Sequence, residues 1–248
     1  MTNVDWDNFA KNESYRAVID PNDLVGIKNS LIDQIHWNAI SRVLESRRSI
    51  VDFGCGTGRF TQRLIDRGFN YCGVDSSVGM IEAAKRLNAS NTAEFIHSRH
   101  MPLPFPTGRF DVCLSVWVLQ YVMHQPRDER RDVFFELARV LSPFGQLLVI
   151  EQASASGRSS GTVTACSTEK DYIEALSPFF AISRIERIRC CKMTRLSSRY
   201  LHYGKLLPLK NLAISYLANV EAQQALDADL DVLKSMDYYD ILINAVKK

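Results

Sequence analysis

The sequence predicts an α/β fold with a parallel sheet at its centre and helices on both faces of the sheet. Short apolar segments of strand length alternate with segments whose apolar residues recur every three or four positions. The first apolar strand, 49–53, runs into a glycine-rich turn, and the next strand, 70–74, is followed by Asp75. This alternation is typical of βαβ units, in which helices join consecutive parallel strands.

The remaining elements follow from the same periodicities. Apolar residues at a spacing of three to four predict a helix over 23–44, and Pro21 and Asn22 stand where a helix begins. After the first strand we expect helices over 58–67, 77–87, 127–141 and 168–176, and strands over 70–74, 93–96, 109–115, 146–151 and 179–191. The last strand is predicted at 238–246, after an insertion that has room for helices near 208–220 and 221–236.

Composition restricts the class of protein. The chain has 248 residues, 46% of them hydrophobic, which suits a single domain over 1–248. We divide it into an N-terminal helical cap (1–46), a core (47–191), a helical insertion (192–237) and the last strand (238–248). The net charge of +2 argues against bulk electrostatic binding of nucleic acid.

The first residues of the sequence and the spacing of its cysteines predict a cytoplasmic protein. The chain contains no apolar run of ~18 residues that would suggest a membrane span, and its polar, acidic first residues are unlike a signal peptide. The six cysteines show no Cys-x-x-Cys spacing. We therefore expect reduced thiols, a cytoplasmic protein and no metal site.

The stretch 50–60 reads Ile-Val-Asp-Phe-Gly-Cys-Gly-Thr-Gly-Arg-Phe and is the most informative part of the chain. Its three glycines let the backbone turn sharply and approach a ligand closely, because no Cβ intervenes. A dinucleotide-binding loop would need a small residue where Arg59 stands, and Asp52 would repel the pyrophosphate. A ligand with a positive centre and no phosphate fits better. S-adenosylmethionine, with its sulfonium and α-amino group, is such a ligand.

Asp75 ends the second strand, 17 residues after Gly58. In a βαβ unit an acid at this tip accepts hydrogen bonds from the ribose hydroxyls of a nucleoside. The alternative is that Asp75 is the N-cap of the helix that starts near Ser77. Together with the glycine loop, the ribose interpretation is favoured.

These motifs, in this order, resemble the class I S-adenosylmethionine-dependent methyltransferases of the small-molecule type 11 family. The matching runs are Asp-Phe-Gly-Cys-Gly-Thr-Gly, Gly-Val-Asp, Leu-Pro-Phe at 103–105, Phe-Asp at 110–111 and Leu-Ser-Pro-Phe-Gly-Gln-Leu at 141–147. The resemblance covers about 49–152 and implies a Rossmann-like, doubly wound sheet of seven strands, mostly parallel with the last strand antiparallel. The runs 23–29 and 117–121 resemble, more narrowly, members encoded beside bacterial polysaccharide genes.

The resemblance also implies a donor site. Asp52 would hold the methionine ammonium directly or through water, and Met80 would pack on the adenine unless it is an ordinary core residue. The family often has an acid for the adenine amino group where this chain has Ser-Arg-His at 98–100. Arg99 cannot accept a hydrogen bond, so it either stacks on the adenine or points to solvent, while the backbone of Met101 reads the ring edge. The expected cofactor-binding residues are Asp52, Gly54, Cys55, Gly56, Gly58, Asp75, Ser76, Met80, Arg99, Met101 and Ser115.

The acceptor is expected in the cleft beyond the fourth strand, where ligands of open α/β sheets bind. Trp117, Gln120 and Tyr121 would form an aromatic wall with polar tips, suited to a hydroxylated acceptor such as a sugar. The alternative is that Trp117 and Tyr121 form one buried helix face. His124, whose ordinary pKa is near ~6.5, and Glu151 are the candidate catalytic bases.

Charge is unevenly distributed around the insertion. Lys and Arg dominate 184–210, whereas acids dominate 221–240. The simpler interpretation is that two solvated faces pair with each other. The other is that Arg195 and Arg199, with His202, bind a phosphate-bearing acceptor such as a nucleotide-sugar or a lipid-linked glycan.

The sequence therefore predicts a cytoplasmic methyltransferase that uses S-adenosylmethionine to O-methylate a small hydroxylated acceptor, with a saccharide or saccharide precursor favoured. One alternative is a methyltransferase of a natural product, lipid or quinone, since a fold does not fix a function. An alternative from another class is a catalytically silent, S-adenosylmethionine-binding partner subunit. A nicotinamide dehydrogenase is disfavoured by Arg59 and Asp52.

Overall fold

The computed structural model describes residues 4–12, 15–45, 47–156, 167–190, 194, 210–234 and 238–248. Within these residues seven strands form one sheet: β1 Ser49–Phe53, β2 Asn70–Asp75, β3 Glu94–His97, β4 Phe110–Val116, β5 Leu141–Ala153, β6 Phe180–Cys190 and β7 Tyr239–Lys247. Their order across the sheet is β3-β2-β1-β4-β5-β7-β6. Strands β1 to β5 are parallel, and β7 runs antiparallel to both β5 and β6. The expected α/β sheet with an antiparallel last strand is confirmed.

Helices cover both faces of the sheet. The described helices are α1 Trp6–Phe9, α2 Tyr15–Val18, α3 Ile27–Val43, α4 Thr61–Ile65, α5 Val78–Leu87, α6 Leu119–Met123, α7 Arg127–Val140, α8 Glu169–Leu176, α9 Lys210–Asp227 and α10 Leu230–Lys234. Ile50 and Val112 belong to one buried cluster with α3, while Val51 and Cys113 belong to another with α7. Because both faces are covered, the central strands read as nearly continuous apolar runs. In the part of the chain that is described, no helix is both long and apolar enough to cross a bilayer.

Two helices are shorter than the sequence predicts, and backbone geometry explains both. Helix α3 begins at Ile27 because Gly26 adopts a left-handed φ of 73°. The carboxylate of Asp23 holds the preceding turn by accepting hydrogen bonds from the amides of Gly26 (3.1 Å) and Asn29 (2.7 Å). Helix α4 begins at Thr61 rather than at residue 58, because the φ of 78° at Gly58 lies outside the α-helical region.

The predicted break between residues 220 and 221 is wrong, since α9 continues to Asp227. Glu221 is 1% exposed, and its Oε2 accepts a hydrogen bond from Thr194 Oγ1 at 2.9 Å, so this acid is part of the buried face of the helix. Ile214 and Ala218 of α9 pack in the same cluster as α3. Helix α9 therefore lies on the α3 face of the sheet, whereas Leu233 of α10 packs in the cluster that contains α7.

Candidate active site

A cavity of about 530 Å³ lies at the carboxyl ends of β1, β2 and β4. This is the edge of an open α/β sheet at which ligands are expected. The sequence-predicted residues that line it are Gly54, Gly56, Asp75, Ser76, Met80, Arg99, Met101, Trp117 and Tyr121. The structure thus brings most of the expected donor residues and the expected aromatic wall to one space.

Two glycines of the β1–α4 loop have no room for a side chain. A Cβ on Gly54 would lie 2.2 Å from Val118 Cγ2, and a Cβ on Gly56 would lie 2.6 Å from Val18 Cγ1. Both glycines adopt a positive φ, 74° and 53°. Because Val118 and Val18 also line the cavity, the glycines make a close backbone cradle between two side-chain walls.

Gly58 serves packing rather than the cavity wall. A Cβ there would lie 2.7 Å from both Asn88 Nδ2 and Thr61 Oγ1. In the structure Gly58 packs against the end of α5 and the start of α4, and its expected contact with the cofactor stays a prediction.

Asp75 lines the cavity and also fastens the glycine loop. One carboxylate oxygen accepts a hydrogen bond from the amide of Gly56 (2.9 Å) and the other from the amide of Ser77 (2.9 Å). Burial raises the pKa of Asp75, against the opposing effect of these amides. The N-cap of α5 is Ser77, whose Oγ accepts from the amide of Met80, so the alternative interpretation of Asp75 as the N-cap is wrong.

Asp52 and Cys55 lie behind the glycine loop instead of in its wall. Tyr71 Oη donates a hydrogen bond to Asp52 Oδ2 at 2.8 Å, and burial raises the pKa of Asp52 to about 7. The Cys55 thiol faces β2, since a Cβ on Gly73 would lie 2.8 Å from its Sγ. Strand alternation explains the position of Asp52, because its side chain shares the face of Ile50, whereas Phe53 points to the other face and lines the cavity.

The adenine side of the predicted site combines apolar and charged residues. Met80 is 1% exposed and packs against Ala10 and Ala17, so it is both a core residue and a wall residue. Arg99 is exposed at the rim. Glu129 and Asp132 of α7 line the same cavity and were not foreseen, because a charged helix start reads as solvated surface in the sequence.

Glu151 is a helix cap in the structure. Its side chain is 0% exposed and its carboxylate accepts hydrogen bonds from the amides of Val118 (2.8 Å), Leu119 (2.6 Å) and Gln120 (3.2 Å). Burial raises the pKa of Glu151 to about 8, while the three amides oppose the rise. Glu151 does not line the cavity, and in the structure its carboxylate holds the start of α6, while its role as a base stays a prediction.

Three other expected site residues do not line the cavity. His124 is exposed and follows the last residue of α6. Gln120 is buried and its Nε2 donates to the carbonyl oxygen of Trp117 at 3.2 Å, which is a local structural contact. Ser115 is 0% exposed within β4. Arg195 and Arg199, with His202, lie outside the described residues.

Trp117 and Tyr121 both line the cavity, but they have different backbone conformations. Trp117 precedes α6 and has a positive φ of 61°, so the two residues do not share one helix face, contrary to the alternative interpretation. The ring of Tyr121 meets the ring of Trp6 edge to face at 5.7 Å. Trp6, from the N-terminal cap, was not expected in the wall.

Three of the described arginines before the insertion form ion pairs with acidic side chains. Arg184 pairs with Glu186, Arg187 with Glu169 (2.9 Å), and Arg189 with Asp240 (2.6 Å). Arg189, Asp240 and His36 form a buried cluster beside Trp117, here called the Asp240 cluster. No sequence signal pointed to it, because its members come from β6, β7 and α3.

Comparisons with known proteins are consistent with the α/β fold and with the glycine-rich loop after β1. Residues 51–149 match the family described as "Methyltransferase domain". An uncharacterized methyltransferase of Mycobacterium avium is 32% identical over 116 residues, 47% of this chain and 44% of that protein. The 2-methyl-6-phytyl-1,4-hydroquinone methyltransferase of Synechocystis is 34% identical over 128 residues, 49% of this chain and 38% of that protein. The chain thus spans less than half the length of these curated relatives.

Among solved structures, the geranyl diphosphate C-methyltransferase of Streptomyces coelicolor superposes with a TM-score of 0.64 at 15% identity, covering 98% of this chain and 95% of that chain. At this identity the likeness establishes the shared fold.

Proposed function

We propose that this chain, whose residues 51–149 match the methyltransferase domain family, is a class I S-adenosylmethionine-dependent methyltransferase of type 11 that transfers a methyl group to a hydroxyl of a small acceptor. The observation that carries the proposal is the single cavity in which the glycine cradle, Asp75 and the wall of Trp117 and Tyr121 meet. A donor and an acceptor must share one space for group transfer, and this cavity offers both kinds of surface.

The residues present fit the donor. Gly54 and Gly56 let the backbone approach a methionine moiety, and Asp75 retains carboxylate lone pairs for ribose hydroxyls. Met80 and Met101 offer apolar surface for a purine, and Arg99 can stack on it. When bound, S-adenosylmethionine supplies the methyl group and carries its own leaving group, so the protein's part is positioning and exclusion of water.

Asp52 enters the proposal indirectly. Its carboxylate lies behind the loop, so we assign it the contact with the methionine ammonium through water or through the loop backbone. Neither His124 nor Glu151 is assigned the role of base here, because His124 is exposed and does not line the cavity, and the Glu151 carboxylate is bound to the start of α6.

A saccharide or saccharide precursor is our first candidate acceptor. Its support is the combination of aromatic rings and polar rim groups in the wall, which suits a hydroxylated ring. Arg195 and Arg199 belong to this proposal as contacts for a phosphate-bearing acceptor, and they lie outside the described residues.

A quinone or related aromatic metabolite is the second candidate. The resemblance to the Synechocystis hydroquinone methyltransferase favours it, as does the 31% identity over 133 residues to a demethylmenaquinone methyltransferase of Clavibacter sepedonicus. The aromatic rings of Trp6, Phe53, Trp117 and Tyr121 line the cavity and would pack on a flat acceptor.

We also propose a cytoplasmic location. Its support is four buried free thiols, those of Cys55, Cys72, Cys113 and Cys190, which suit a reducing compartment.

The test is transfer of label. Purified protein is incubated with methyl-labelled S-adenosylmethionine and a cell lysate separated into nucleotide-sugar, glycolipid, quinone, protein and nucleic-acid fractions. Label in the first two fractions supports the saccharide, and label in the quinone fraction supports the second candidate. Label only in protein or nucleic acid overturns the small-molecule acceptor, and no label despite calorimetric binding of S-adenosylmethionine favours a silent partner subunit.

The matched control for this test is Gly56→Ala, which fills the cradle. It should weaken donor binding at least ~tenfold and lower the label accordingly, while keeping the fold by circular dichroism. Label that does not fall in this variant would come from a contaminating enzyme.

A further inference from the structure

Helices α1 and α2 form one side of the cavity. Trp6 of α1 and Val18 of α2 both line it. The ring of Trp6 meets the ring of Tyr121 edge to face at 5.7 Å, and Val18 lies so close to Gly56 that a Cβ there would be 2.6 Å from Val18 Cγ1. The two helices therefore contact the aromatic wall and the glycine loop at the same time.

Few apolar contacts hold these helices in place. Ala10, Ala17 and Met80 form a small buried cluster that is separate from the two large clusters on the faces of the sheet. Among the described residues, Met80 is the one buried member of this cluster from outside residues 4–18. An element with few buried apolar contacts opens at a lower free-energy cost than the core does.

Asp7 fastens α1 to the start of α5. Its Oδ1 accepts hydrogen bonds from Ser77 Oγ at 2.6 Å and from the amide of Gly79 at 2.9 Å. Gly79 permits this close approach, because a Cβ there would lie 3.1 Å from Asp7 Cα. Asp7 is exposed, so water can take over both hydrogen bonds when α1 moves away.

The chain that follows α2 is anchored firmly to α3. Lys28 Nζ pairs with Asp20 Oδ2 at 2.6 Å, and Asn29 Nδ2 donates to the carbonyl oxygen of Asp20 at 2.9 Å. Asn29 is 0% exposed, so this anchor lies in the interior. The segment is thus fixed at the end next to α3 and lightly held at the end that carries Asp7. Such a segment can turn about its fixed end.

We propose that α1 and α2 form a gate over the cavity, with Asp7 as its latch, and that this gate must open for S-adenosylmethionine to enter and S-adenosylhomocysteine to leave. Closure returns Trp6 to Tyr121 and keeps water from the site of transfer. Asp7 is a positioning residue, because it acts through Trp6 and Val18 rather than on the ligand. The inference rests on the proposed function, since it takes the methyl donor as the ligand that passes the gate.

The first test measures how fast S-adenosylhomocysteine exchanges. Stopped-flow tryptophan fluorescence gives its association and dissociation rates. Ligand passes only while the gate is open, so both rates are proportional to the open fraction. Asp7→Ala loses both hydrogen bonds, and we expect both rates to rise ~tenfold. Asp7→Asn is the matched control, because its amide oxygen can accept the same two hydrogen bonds, and its rates should stay within about threefold of wild type.

Gly79→Ala opens the gate from the other side of the contact. The new Cβ would press on Asp7 Cα at 3.1 Å and on Ala10 Cβ at 3.2 Å, which moves α1 away from α5. Alanine is also the better helix former within α5. We therefore expect faster exchange with a melting temperature no lower than that of wild type. This combination distinguishes opening of the gate from a general loss of stability.

Fluorine NMR observes the gate without a ligand. The chain has three tryptophans, so a protein labelled with 5-fluorotryptophan gives few signals, and Trp6→Phe assigns the one from α1. In Asp7→Ala the Trp6 signal should move towards that of free 5-fluorotryptophan, and S-adenosylhomocysteine should reverse the movement. The signal of Trp37, which stacks on Phe60 at 6.2 Å, is the internal control and should not move.

Two results would overturn the gate. One is exchange at the wild-type rates in Asp7→Ala and Gly79→Ala, with the Trp6 signal unmoved. The other is faster dissociation with an unchanged association rate, which is expected if Asp7 merely supports a wall that the ligand touches. If Asp7→Ala does not fold, Gly79→Ala alone decides between these outcomes.

Failure of the proposed function would look different. Wild-type protein would then not bind S-adenosylhomocysteine at all. The fluorine signal of Trp6 needs no ligand, so its movement in Asp7→Ala would still support a gate, and its constancy would overturn one.

Discussion

The carboxylate of Asp75 accepts a hydrogen bond from the backbone amide of Gly56 at 2.9 Å. The tip of β2 thereby fixes the curvature of the loop that follows β1. Both residues line the cavity, so any change in the one is transmitted to the other.

The first prediction concerns Gly56→Ala. The new Cβ would lie 2.6 Å from Val18 Cγ1 on a backbone with a φ of 53°, so the loop and α2 must separate. We expect the affinity for S-adenosylmethionine, measured by calorimetry, to fall at least ~tenfold, an effect of ~1.4 kcal/mol.

Gly68→Ala is the matched control for that variant. Gly68 also has a positive φ, 86°, but a Cβ there meets nothing within 4 Å. It should lower the free energy of unfolding by about 1 kcal/mol through backbone strain without weakening donor binding. Equal donor affinities in the two variants would contradict the cradle. Adding Val18→Ala to Gly56→Ala should restore part of the affinity.

The second prediction concerns protons released on donor binding. Burial raises the pKa of Asp52 to about 7, and a nearby ammonium favours the ionised carboxylate. Binding of S-adenosylmethionine should therefore release protons near pH 6 to 7, and its affinity should rise with pH through that range. Calorimetry in buffers of different ionisation enthalpy measures the release. Asp52→Asn should abolish it, and an unchanged release in that variant would show that Asp52 is not linked to the ligand.

The third prediction separates a helix cap from a catalytic base at Glu151. Glu151→Gln keeps one acceptor oxygen for the amides of α6, so we expect turnover within about threefold of wild type and a loss of stability of about 1–2 kcal/mol in urea unfolding. Glu151→Ala leaves buried amides unpaired and should be less stable still. A loss of turnover of a hundredfold or more in a folded Glu151→Gln enzyme would restore the role of base.

His124→Ala completes that comparison. The side chain is exposed, so neither stability nor turnover should change beyond about threefold. If turnover of the wild type has a bell-shaped pH profile and the acid limb is lost in His124→Ala, His124 takes part in the mechanism.

The fourth prediction concerns acid stability. Burial lowers the pKa of His36 to about 4, from an ordinary value of 6.5. Between these values the unfolded chain binds a proton that the folded chain does not, so the stabilising effect is present above pH 6.5 and is lost as the pH falls towards 4. The contribution of His36 to the free energy of unfolding should fall by up to about 3 kcal/mol over this window. Asp52 and Glu151, whose pKa values are raised by burial, contribute in the opposite direction. Urea unfolding of the wild type and of His36→Gln at each pH therefore measures the His36 contribution as the difference between the two curves, and a difference that does not change between pH 6.5 and 4 would contradict it.

The sheet and the donor loop were predictable because their signals are local. The strand 49–53 was predicted with both boundaries correct, since a buried parallel strand is a short apolar run ended by a glycine turn. The position of Asp75 at the cavity was predicted from its separation of 17 residues from Gly58 in the sequence. Helix α4 was predicted too long because the sequence does not reveal that Gly58 adopts a positive φ.

The contacts of the site that the sequence did not reveal share a different cause. Glu151 was predicted as a base from its position at a strand tip, and its hydrogen bonds to amides 31 to 33 residues earlier in the chain have no signal in the sequence. His36 and Asp240 are 204 residues apart, and no pattern in the sequence connects them. Contacts that depend on how several elements pack together leave no periodic signal.

The bidentate pair of Arg189 and Asp240 joins the end of β6 to the start of β7, two residues 51 positions apart in the chain. Both ends of the intervening chain are therefore anchored at one point on neighbouring strands. A change in the length of the insertion need not shift the register of β6 against β7 or the glycine loop. In evolutionary terms, this pair would let the insertion change while the half of the protein that carries the glycine loop stays the same.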